Sequence, residues 1–285
     1  MTQEITVRAK KVKKDHVKAR LIVLSILVGI LLLAAIFARQ ICPYDPYAQD
    51  LSISMQPPGP GHIMGTDEFG RDMFSRVLIG GRTSILSTLA LVLIISIFGT
   101  FIGVLCGTFG GFLDSLVMRI ADFFLAFPGL VFAMAVAALF SGGIINAVIA
   151  LALISWPKYS RVARSQTLAN MENSYIKAAR LSGDNSAQLI FRHILPNILG
   201  PVLVTAMLDI GTMMMELAGL SFLNLGAQPP VAEWGNMMST GRSMLQIYPW
   251  IVMSPGIAIF ITVSLFNLLG DTVRDYMDPK NSHSR

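Results

Sequence analysis

The sequence predicts an all-α membrane protein with six transmembrane helices. Of its 285 residues, 53% are hydrophobic and only 14% are charged, and the mean hydropathy is +0.61. A soluble domain carries about 25% charged residues. The apolar residues also fall into long runs separated by polar segments. Because about 20 apolar residues in a helix cross the hydrocarbon core of a bilayer, each long run predicts a transmembrane helix.

The first apolar run, Leu21–Ala38, follows a basic segment at residues 1–20. A basic segment before an apolar run is also typical of a signal peptide. This run is longer than a usual signal-peptide core, and no Ala-x-Ala cleavage site follows it. We therefore predict a basic tail at 1–20, an uncleaved first transmembrane helix at 21–38 and an external loop at 39–82.

Five further spans are predicted from the rest of the chain. The uncharged stretch Phe123–Pro157 would form a helix of roughly 50 Å, whereas the bilayer core is about 30 Å thick. The sequence Ser141-Gly-Gly143 therefore predicts a turn that divides this stretch. The predicted spans two to six are Ile85–Gly107, Val117–Phe140, Ile144–Val162, Ile198–Leu220 and Tyr248–Gly270.

Basic residues predict how the chain lies in the membrane. Six spans place both termini on one side. Of the 22 Lys and Arg residues, 17 lie on that side, and the other five are Arg39, Arg71, Arg76, Arg82 and Arg242. Positive residues favour the cytoplasm, so both termini are predicted to be cytoplasmic. This asymmetry explains the net charge of +5 without nucleic-acid binding. No disulfide is expected, because one of the two cysteines lies inside an apolar run.

A polar, basic segment between spans four and five predicts a helix–turn–helix. Capping residues precede each of two helices, Tyr175–Leu181 and a second one that ends before Pro196. Gly183 between them can take the left-handed conformation that ends the first helix. Ala178 and Ala179 leave one face of the first helix nearly bare, so that a partner can approach closely. The alternative is an amphipathic loop lying on the membrane surface.

The pattern of paired alanines, glycine, histidine and proline resembles the cytoplasmic "EAA" loop of ABC-importer permeases. In that family the loop forms a coupling helix that sits in a groove of the ATPase subunit. The resemblance implies a coupling loop at 164–197. Lys177 stands where the family name has glutamate. By this resemblance, the residues expected to couple the permease to the ATPase are Ala178, Ala179, Gly183, Asp184, His193 and Pro196.

The external segment before span two is rich in glycine and charged residues. Its residues of interest are His62, Gly65, Asp67, Glu68, Gly70, Arg71, Asp72 and Arg76. Asp72 can cap a short amphipathic helix, Met73–Ile79, on the outer surface, and the glycines permit turns. The histidine and the three carboxylates could instead hold a divalent metal ion. Capping and salt bridges are the favoured interpretation, and no metal site is predicted.

The pattern His-x-x-Gly-Thr-Asp-x-x-Gly-Arg-Asp-x-x-Ser-Arg, from His62 to Arg76, strongly resembles the "C"-type permeases of dipeptide, oligopeptide and nickel ABC importers. The match extends over about residues 40–280 and includes Glu233-Trp-Gly235. Asn224 stands where we expect glycine. The resemblance implies the type I ABC importer permease fold, with a permease domain at 83–271 and a cytoplasmic tail at 272–285.

The resemblance also implies the partners. They are a second, related permease, two cytoplasmic ATPases and an external solute-binding protein, all at a bacterial plasma membrane. The chain has no P-loop, so ATP would be used by the ATPases, and no cofactor or enzymatic reaction is assigned to this chain. Span five and Ala232-Glu-Trp-Gly235 favour nickel or a nickel chelate as the substrate. The alternative is a dipeptide or oligopeptide.

Two carboxylates lie within span five. Asp209 and Glu216 are seven residues apart and therefore share one face of the helix. A charge at this depth is costly, so these residues either line the translocation path or pair with polar groups on neighbouring spans. A membrane-embedded enzyme using both is a remote alternative, because nothing nearby supplies a nucleophile. In span two, Gly99, Gly103 and Gly107 form a small-xxx-small pattern that favours close helix packing.

Overall fold

The structure is a computed structural model that describes the backbone of residues 2–277 and the side chains of residues 16–277. Most of the predicted basic tail and residues 278–285 of the predicted C-terminal tail therefore lie outside the described side chains. The described part is helical and contains no strand beyond isolated bridges. Its α-helices are α1 Thr2–Ile36, α2 Ala38–Ile41, α3 Met73–Phe109, α4 Gly111–Leu125, α5 Gly129–Ala137, α6 Ile144–Met171, α7 Ser174–Leu181, α8 Ser186–Gln188, α9 Leu195–Phe222, α10 Trp234–Gly241 and α11 Trp250–Met277.

The all-α membrane fold is confirmed, but a count of six spans is not. Among the described residues, four helices are long and apolar enough to cross a membrane: His16–Ile36 of α1, α3, Ser186–Phe222 and α11. The pair α4 and α5 makes a fifth if it counts as one span. Helix α6 does not meet the criterion, because Lys158 and Arg161 lower the hydropathy of its second half.

The predicted third span, Val117–Phe140, is wrong as a single helix. It is divided between α4 and α5, which meet at an angle of 91°. The break falls just before Pro128, which precedes the first residue of α5 and cannot continue a helix from the preceding turn. The predicted turn at Ser141-Gly-Gly143 is present, since Gly142 and Gly143 have φ of +82° and +104°.

Helix α3 begins earlier than predicted. It runs without interruption for 37 residues, so the proposed surface helix Met73–Ile79 is its first part and the external loop ends at Asp72. Asp72 caps it as predicted: its Oδ2 accepts a hydrogen bond from the Ser75 backbone N–H at 2.7 Å. The helix continues through Arg76 because that guanidinium is paired within the protein. At 1.5 Å per residue, α3 is roughly 55 Å long and projects beyond the bilayer core.

Three other helix ends differ from the predictions. Helix α1 starts within the basic tail, because Lys and Arg are good helix formers, and it ends at Ile36. Helix α11 continues to Met277, through the start of the predicted tail. The second helix of the helix–turn–helix does not end before Pro196. A π-helical segment, Leu189–Ile194, joins α8 to α9, and its wider turn leaves room for the proline ring.

The core of the bundle lies between α3, α6, α9 and α11. Leu91, Leu151, Leu217 and Phe266 come from these four helices and belong to one buried cluster. The predicted close packing of span two is confirmed. A Cβ atom on Gly99 would lie 2.5 Å from the Trp156 carbonyl oxygen of α6, so only glycine permits this approach.

Replacing Gly99 with valine is expected to force α3 away from α6. The added side chain meets backbone atoms, which cannot move aside, so we expect Gly99→Val to lower the free energy of unfolding by about 3 kcal/mol. The measurement is the melting temperature of the purified complex in detergent. Gly29→Val in α1 is the matched control, because nothing lies within 4 Å of a Cβ there. Equal melting temperatures for the two variants would contradict the close packing.

Candidate translocation path and coupling surface

The helix–turn–helix forms largely as the sequence predicts. Helix α7 covers the predicted Tyr175–Leu181, and Gly183 follows it with φ of +95°. The Asp184 backbone N–H then donates to the Ala179 carbonyl at 3.1 Å. Asn185 caps α8 by accepting a hydrogen bond from the Gln188 backbone N–H at 2.9 Å, and the Gln188 side-chain oxygen accepts one from the Asn185 backbone N–H at 2.8 Å. The two helices are therefore held at a fixed turn.

Two of the predicted coupling residues meet across this turn. His193 Nε2 lies 3.0 Å from Asp184 Oδ2, which ties the turn to the π-helical segment. The Asn197 side-chain amide donates to the Tyr175 hydroxyl at 3.1 Å and closes the same unit from the other side. Pro196 is exposed and lies in the first turn of α9, directly after the π-helical segment whose wider turn accommodates it. These residues shape the loop, and their side chains are engaged within it.

One face of this unit is anchored in the bundle and the other is bare. Ile176, Ile190 and Ile194 are buried against Val104 and Ala163. On the opposite face, Ala178 is exposed, whereas Ala179 is partly buried and packs against the same cluster as Ile176, so only one alanine of the predicted pair is bare. The side chain of Leu181, just before the turn, is 91% exposed, and that of Phe191 is 67% exposed. Apolar side chains this exposed beside a rigid turn are typical of a surface that a partner covers. We refer to Ala178 and Leu181 as the coupling surface; Phe191 lines an apolar groove between α3 and α9 instead.

Asp209 lies in a charge network between α9 and α6. Its side chain is 1% exposed, and its Oδ1 lies 2.6 Å from Lys158 Nζ. The Tyr159 hydroxyl donates to Asp209 Oδ2 at 3.0 Å. The lysine side chain is 49% exposed, so its ammonium group reaches the edge of the bundle. Asp209 is therefore paired with a residue of a neighbouring helix, which is one of the two predictions made for it. Its partner, Lys158, lies at the edge of the bundle.

Glu216 lies farther along the same helix and is only partly buried. Its carboxylate makes no hydrogen bond or ion pair with any residue of the described part. It lies against the break between α4 and α5: a Cβ on Gly129 would be 3.9 Å from Glu216 Oε1. No metal-binding group of three or more His, Cys, Asp or Glu residues occurs in the described part.

The break between α4 and α5 exposes non-helical backbone within an apolar part of the chain. Residues 126–129 are all exposed. Aromatic rings surround the break, with the Phe123 and Phe127 centroids 5.3 Å apart and Phe127 and Phe132 5.5 Å apart. Irregular backbone at membrane depth is tolerated only where protein or water covers it. The break, Glu216 and Lys158 together mark a candidate translocation path.

The residues of the external signature form a buried scaffold. Asp67 accepts a hydrogen bond from Arg71 Nε at 2.7 Å, and Arg76 Nε lies 3.4 Å from the same oxygen. His62 Nδ1 lies 2.9 Å from Asp72 Oδ1. These contacts engage His62 and two of the three carboxylates, Asp67 and Asp72, that the alternative metal site would need. The signature therefore fixes the shape of the loop ahead of α3.

The two signature glycines are required by this scaffold. Gly65 and Gly70 have φ of +72° and +71°. A Cβ on Gly65 would lie 2.5 Å from the Gln56 carbonyl oxygen. The neighbouring Thr66 carbonyl accepts a hydrogen bond from Trp250 Nε1 at 3.1 Å, so the loop is also attached to the start of α11. The role of the two signature glycines is therefore structural.

Glu233 and Trp234 attach the second external segment to α3. Glu233 caps α10 and accepts a hydrogen bond from the Ser84 hydroxyl at 2.9 Å. Burial raises the pKa of Glu233, because its charged form loses hydration. Trp234 Nε1 donates to the Val77 carbonyl at 2.9 Å. Both external segments, the signature loop and the segment that contains Glu233 and Trp234, are therefore attached to the N-terminal part of α3.

Comparison with known protein families identifies the family of this chain. Residues 99–283 match the profile of the family described as binding-protein-dependent transport system inner membrane component. The chain belongs to this family. It is thus a non-catalytic permease subunit of an ABC importer, which implies ATPase partners and a place in the inner membrane.

Three curated relatives match the permease along most of its length. The probable D,D-dipeptide permease of Escherichia coli K12 is 43% identical over 256 residues, which is 90% of this chain and 86% of the relative. A dipeptide permease of Alkalihalophilus pseudofirmus is 40% identical and covers 95% and 88% of the two chains. A glutathione permease of Pectobacterium atrosepticum is 41% identical and covers 90% and 85%. These names do not support the preference for nickel.

The fold of the permease is confirmed by a solved structure. The MetNI methionine ABC transporter, in an inward-facing form, matches with a TM-score of 0.54 at 19% identity. The match covers 72% of this chain and 98% of that chain. At this identity the likeness concerns the fold alone, which is that of a type I importer permease.

Sequence reasoning missed three residues of the candidate site in this permease. Lys158 and Tyr159 complete the Asp209 network, and a lysine directly after Pro157 in an apolar helix was an available signal. Leu181 was treated only as the end of a helix. Ile176 and Leu181 are five residues apart and cannot share one helix face, so one of them had to be exposed.

Proposed function

We propose that this permease imports short peptides of the dipeptide or glutathione type, which is the alternative in the sequence analysis. The observation that carries this proposal is the identity of 40% to 43% with dipeptide and glutathione permeases over at least 90% of the chain. Relatives this similar over 85% to 88% of their own length keep the same architecture, so the substrates named for them are the best guide to this one.

The charges along the candidate path support a peptide better than a nickel ion. Among the described residues, Glu216 presents an unpaired carboxylate at the candidate path, which complements the ammonium end of a peptide, while the Lys158 ammonium is already paired with Asp209. A Ni²⁺ ion favours several nitrogen or oxygen ligands together. Within the part of the chain that the structure describes, the path offers one unpaired carboxylate, because Asp209 is already bound to Lys158 and Tyr159, and a single carboxylate does not form such a site.

The coupling surface is the part of the chain proposed to meet the ATPases. Its exposed apolar side chains and rigid turn suit a groove in a partner. In the proposed assembly the chain pairs with a second, related permease, two ATPases and an external solute-binding protein. Both termini face the cytoplasm. ATP binding and hydrolysis in the ATPases move the coupling surface and alternate the access of the path, while this chain holds no cofactor.

Uptake by the complete importer tests the substrate. Vesicles containing both permeases, the ATPases and the binding protein are supplied with a labelled dipeptide or with labelled Ni²⁺. We expect saturable, ATP-dependent uptake of the dipeptide, unchanged when a chelator removes nickel. Uptake of Ni²⁺ should stay at the level of vesicles without ATP. ATP-driven nickel uptake in the absence of peptide would reject the peptide assignment.

A further inference from the structure

A polar pocket lies at the end of the bundle opposite the coupling surface. It has a volume of about 620 Å³ and is formed where the chain leaves α2 and passes the first turns of α3. Its lining includes Arg39, Tyr44, Asp45, Tyr47 and Arg82. The pocket is separate from the candidate path, and neither its cations nor its tyrosines belong to the external signature.

Arg39 and Arg82 are exposed and without a partner. Neither guanidinium makes a hydrogen bond or ion pair with any residue that the structure describes. The nearby Arg71 and Arg76, by contrast, are buried against Asp67. These two unpaired cations therefore give the pocket a net positive charge.

Asp45 does not cancel this charge by pairing with either arginine. Its Oδ1 accepts a hydrogen bond from the Tyr47 backbone N–H at 2.9 Å, so the carboxylate is held in its own turn. The remaining polar groups on the lining are tyrosine side chains, which can donate a hydrogen bond to an anion. The pocket is suited to a negatively charged group.

The wall of the pocket is fixed by contacts behind it. The Tyr44 backbone N–H donates to the Ser75 hydroxyl at 3.3 Å. Arg76 Nη1 donates to the Pro46 carbonyl at 3.1 Å. The segment between α2 and α3 is thus held against α3, and the pocket that both arginines line has a wall that is fixed in advance.

The pocket lies at the border between apolar and polar surface. Below Arg82, the exposed face of α3 continues with Leu86, Leu93 and Ile97. Arg39 follows the exposed Phe37 at the end of the first membrane helix. Lipid head groups occupy this level of a bilayer, and tyrosine is enriched there.

We propose that this pocket binds the phosphate of an anionic phospholipid in the leaflet at this end of the bundle. Arg39 and Arg82 donate charge-assisted hydrogen bonds to the phosphate oxygens, for which a guanidinium has matching geometry. The acyl chains lie along the exposed apolar faces of α1 and α3. The site is a lipid-binding site of the permease and is independent of which solute the importer carries.

Lipid titration of the intact importer tests this site. The delipidated complex in detergent is titrated with dioctanoyl phosphatidylglycerol, and bound lipid is counted by native mass spectrometry. We expect the double variant Arg39→Gln/Arg82→Gln to bind at least about tenfold more weakly than the wild type, because two charge-assisted contacts are lost. Arg242→Gln is the matched control: this exposed arginine belongs to the same external surface but not to the pocket.

Other outcomes would overturn the proposal. Equal affinity in the double variant and the wild type would show that the arginines do not hold the lipid. Equal binding of dioctanoylglycerol, which lacks the phosphate, would reduce the site to an apolar groove. Displacement by millimolar inorganic phosphate would indicate a free anion as the ligand. Cross-linking of Arg82→Cys to the second permease in membranes would make this surface a subunit interface. The single variant Arg82→Gln provides the same comparison if the double variant assembles poorly.

Discussion

Leu181→Asp is expected to separate the permease from its ATPases and to abolish transport. The side chain is 91% exposed beside a rigid turn, so the folded permease gains nothing from it. If a groove in the ATPase buries it, the leucine contributes about 2 kcal/mol, and an unpaired aspartate there costs several more. We therefore expect ATPase binding to weaken at least about a hundredfold. The measurement is the amount of ATPase that co-purifies with the tagged permease.

Leu51→Asp is the matched control for this experiment. Leu51 is also an exposed leucine, but it lies in the external loop. Its variant should co-purify with the ATPases as the wild type does. The melting temperature of both variants should be unchanged, because neither side chain contacts the core. Normal ATPase recovery with Leu181→Asp would show that the helix–turn–helix is a membrane-surface loop and that coupling runs through other cytoplasmic segments.

Asp209→Asn is expected to lower both the stability and the transport activity of the importer. The change leaves the Lys158 ammonium without its partner at membrane depth, while the Tyr159 hydroxyl keeps an acceptor. Because the lysine side chain is 49% exposed, we expect removal of its partner to cost about 1 to 2 kcal/mol, less than in a fully buried ion pair. We expect a lower melting temperature of the complex and, if the proposed path is correct and the peptide passes this charge, uptake reduced at least about a hundredfold.

A second variant separates the structural role of the pair from its role in the path. Lys158→Met/Asp209→Asn removes both charges, so the melting temperature should return close to that of the wild type. Uptake should stay low if the lysine contacts the peptide. Recovery of both stability and uptake would show that the pair is structural only. Wild-type uptake by Asp209→Asn itself would remove both residues from the path.

Local features of this chain could be predicted from sequence, because neighbouring residues determine them. The Asp72 cap, the positive φ of Gly183 and the turn at Gly142-Gly143 each follow from the chemistry of one or two residues. The helix–turn–helix was predicted for the same reason. Its family resemblance also led to the correct fold and family.

Features that join distant parts of the chain could not be predicted in this way. The Asp209–Lys158 pair connects residues 51 positions apart, and no single-sequence pattern indicates which lysine an aspartate will meet. The start of α3 was placed too late because arginines were counted as polar breaks, whereas Arg76 is neutralised by Asp67 from another segment. The nickel preference rested on short stretches of sequence that do not determine the chemistry of a path.

Helix α8, the π-helical segment and α9 form one continuous helical stretch. This continuity determines how a movement at one end of the stretch reaches the other end. The continuous helical stretch Ser186–Phe222 has 37 residues, and at 1.5 Å per residue its length is about 55 Å. It begins at the turn that follows Leu181 and ends near the opposite surface of the bundle. A rod of that length tilted by about 10° displaces one end by roughly 10 Å relative to the other. In the proposed mechanism, a push by the ATPases on the end next to Leu181 would therefore need no hinge within the bilayer, because the stretch would act as a lever arm that converts a small rotation into a wide displacement.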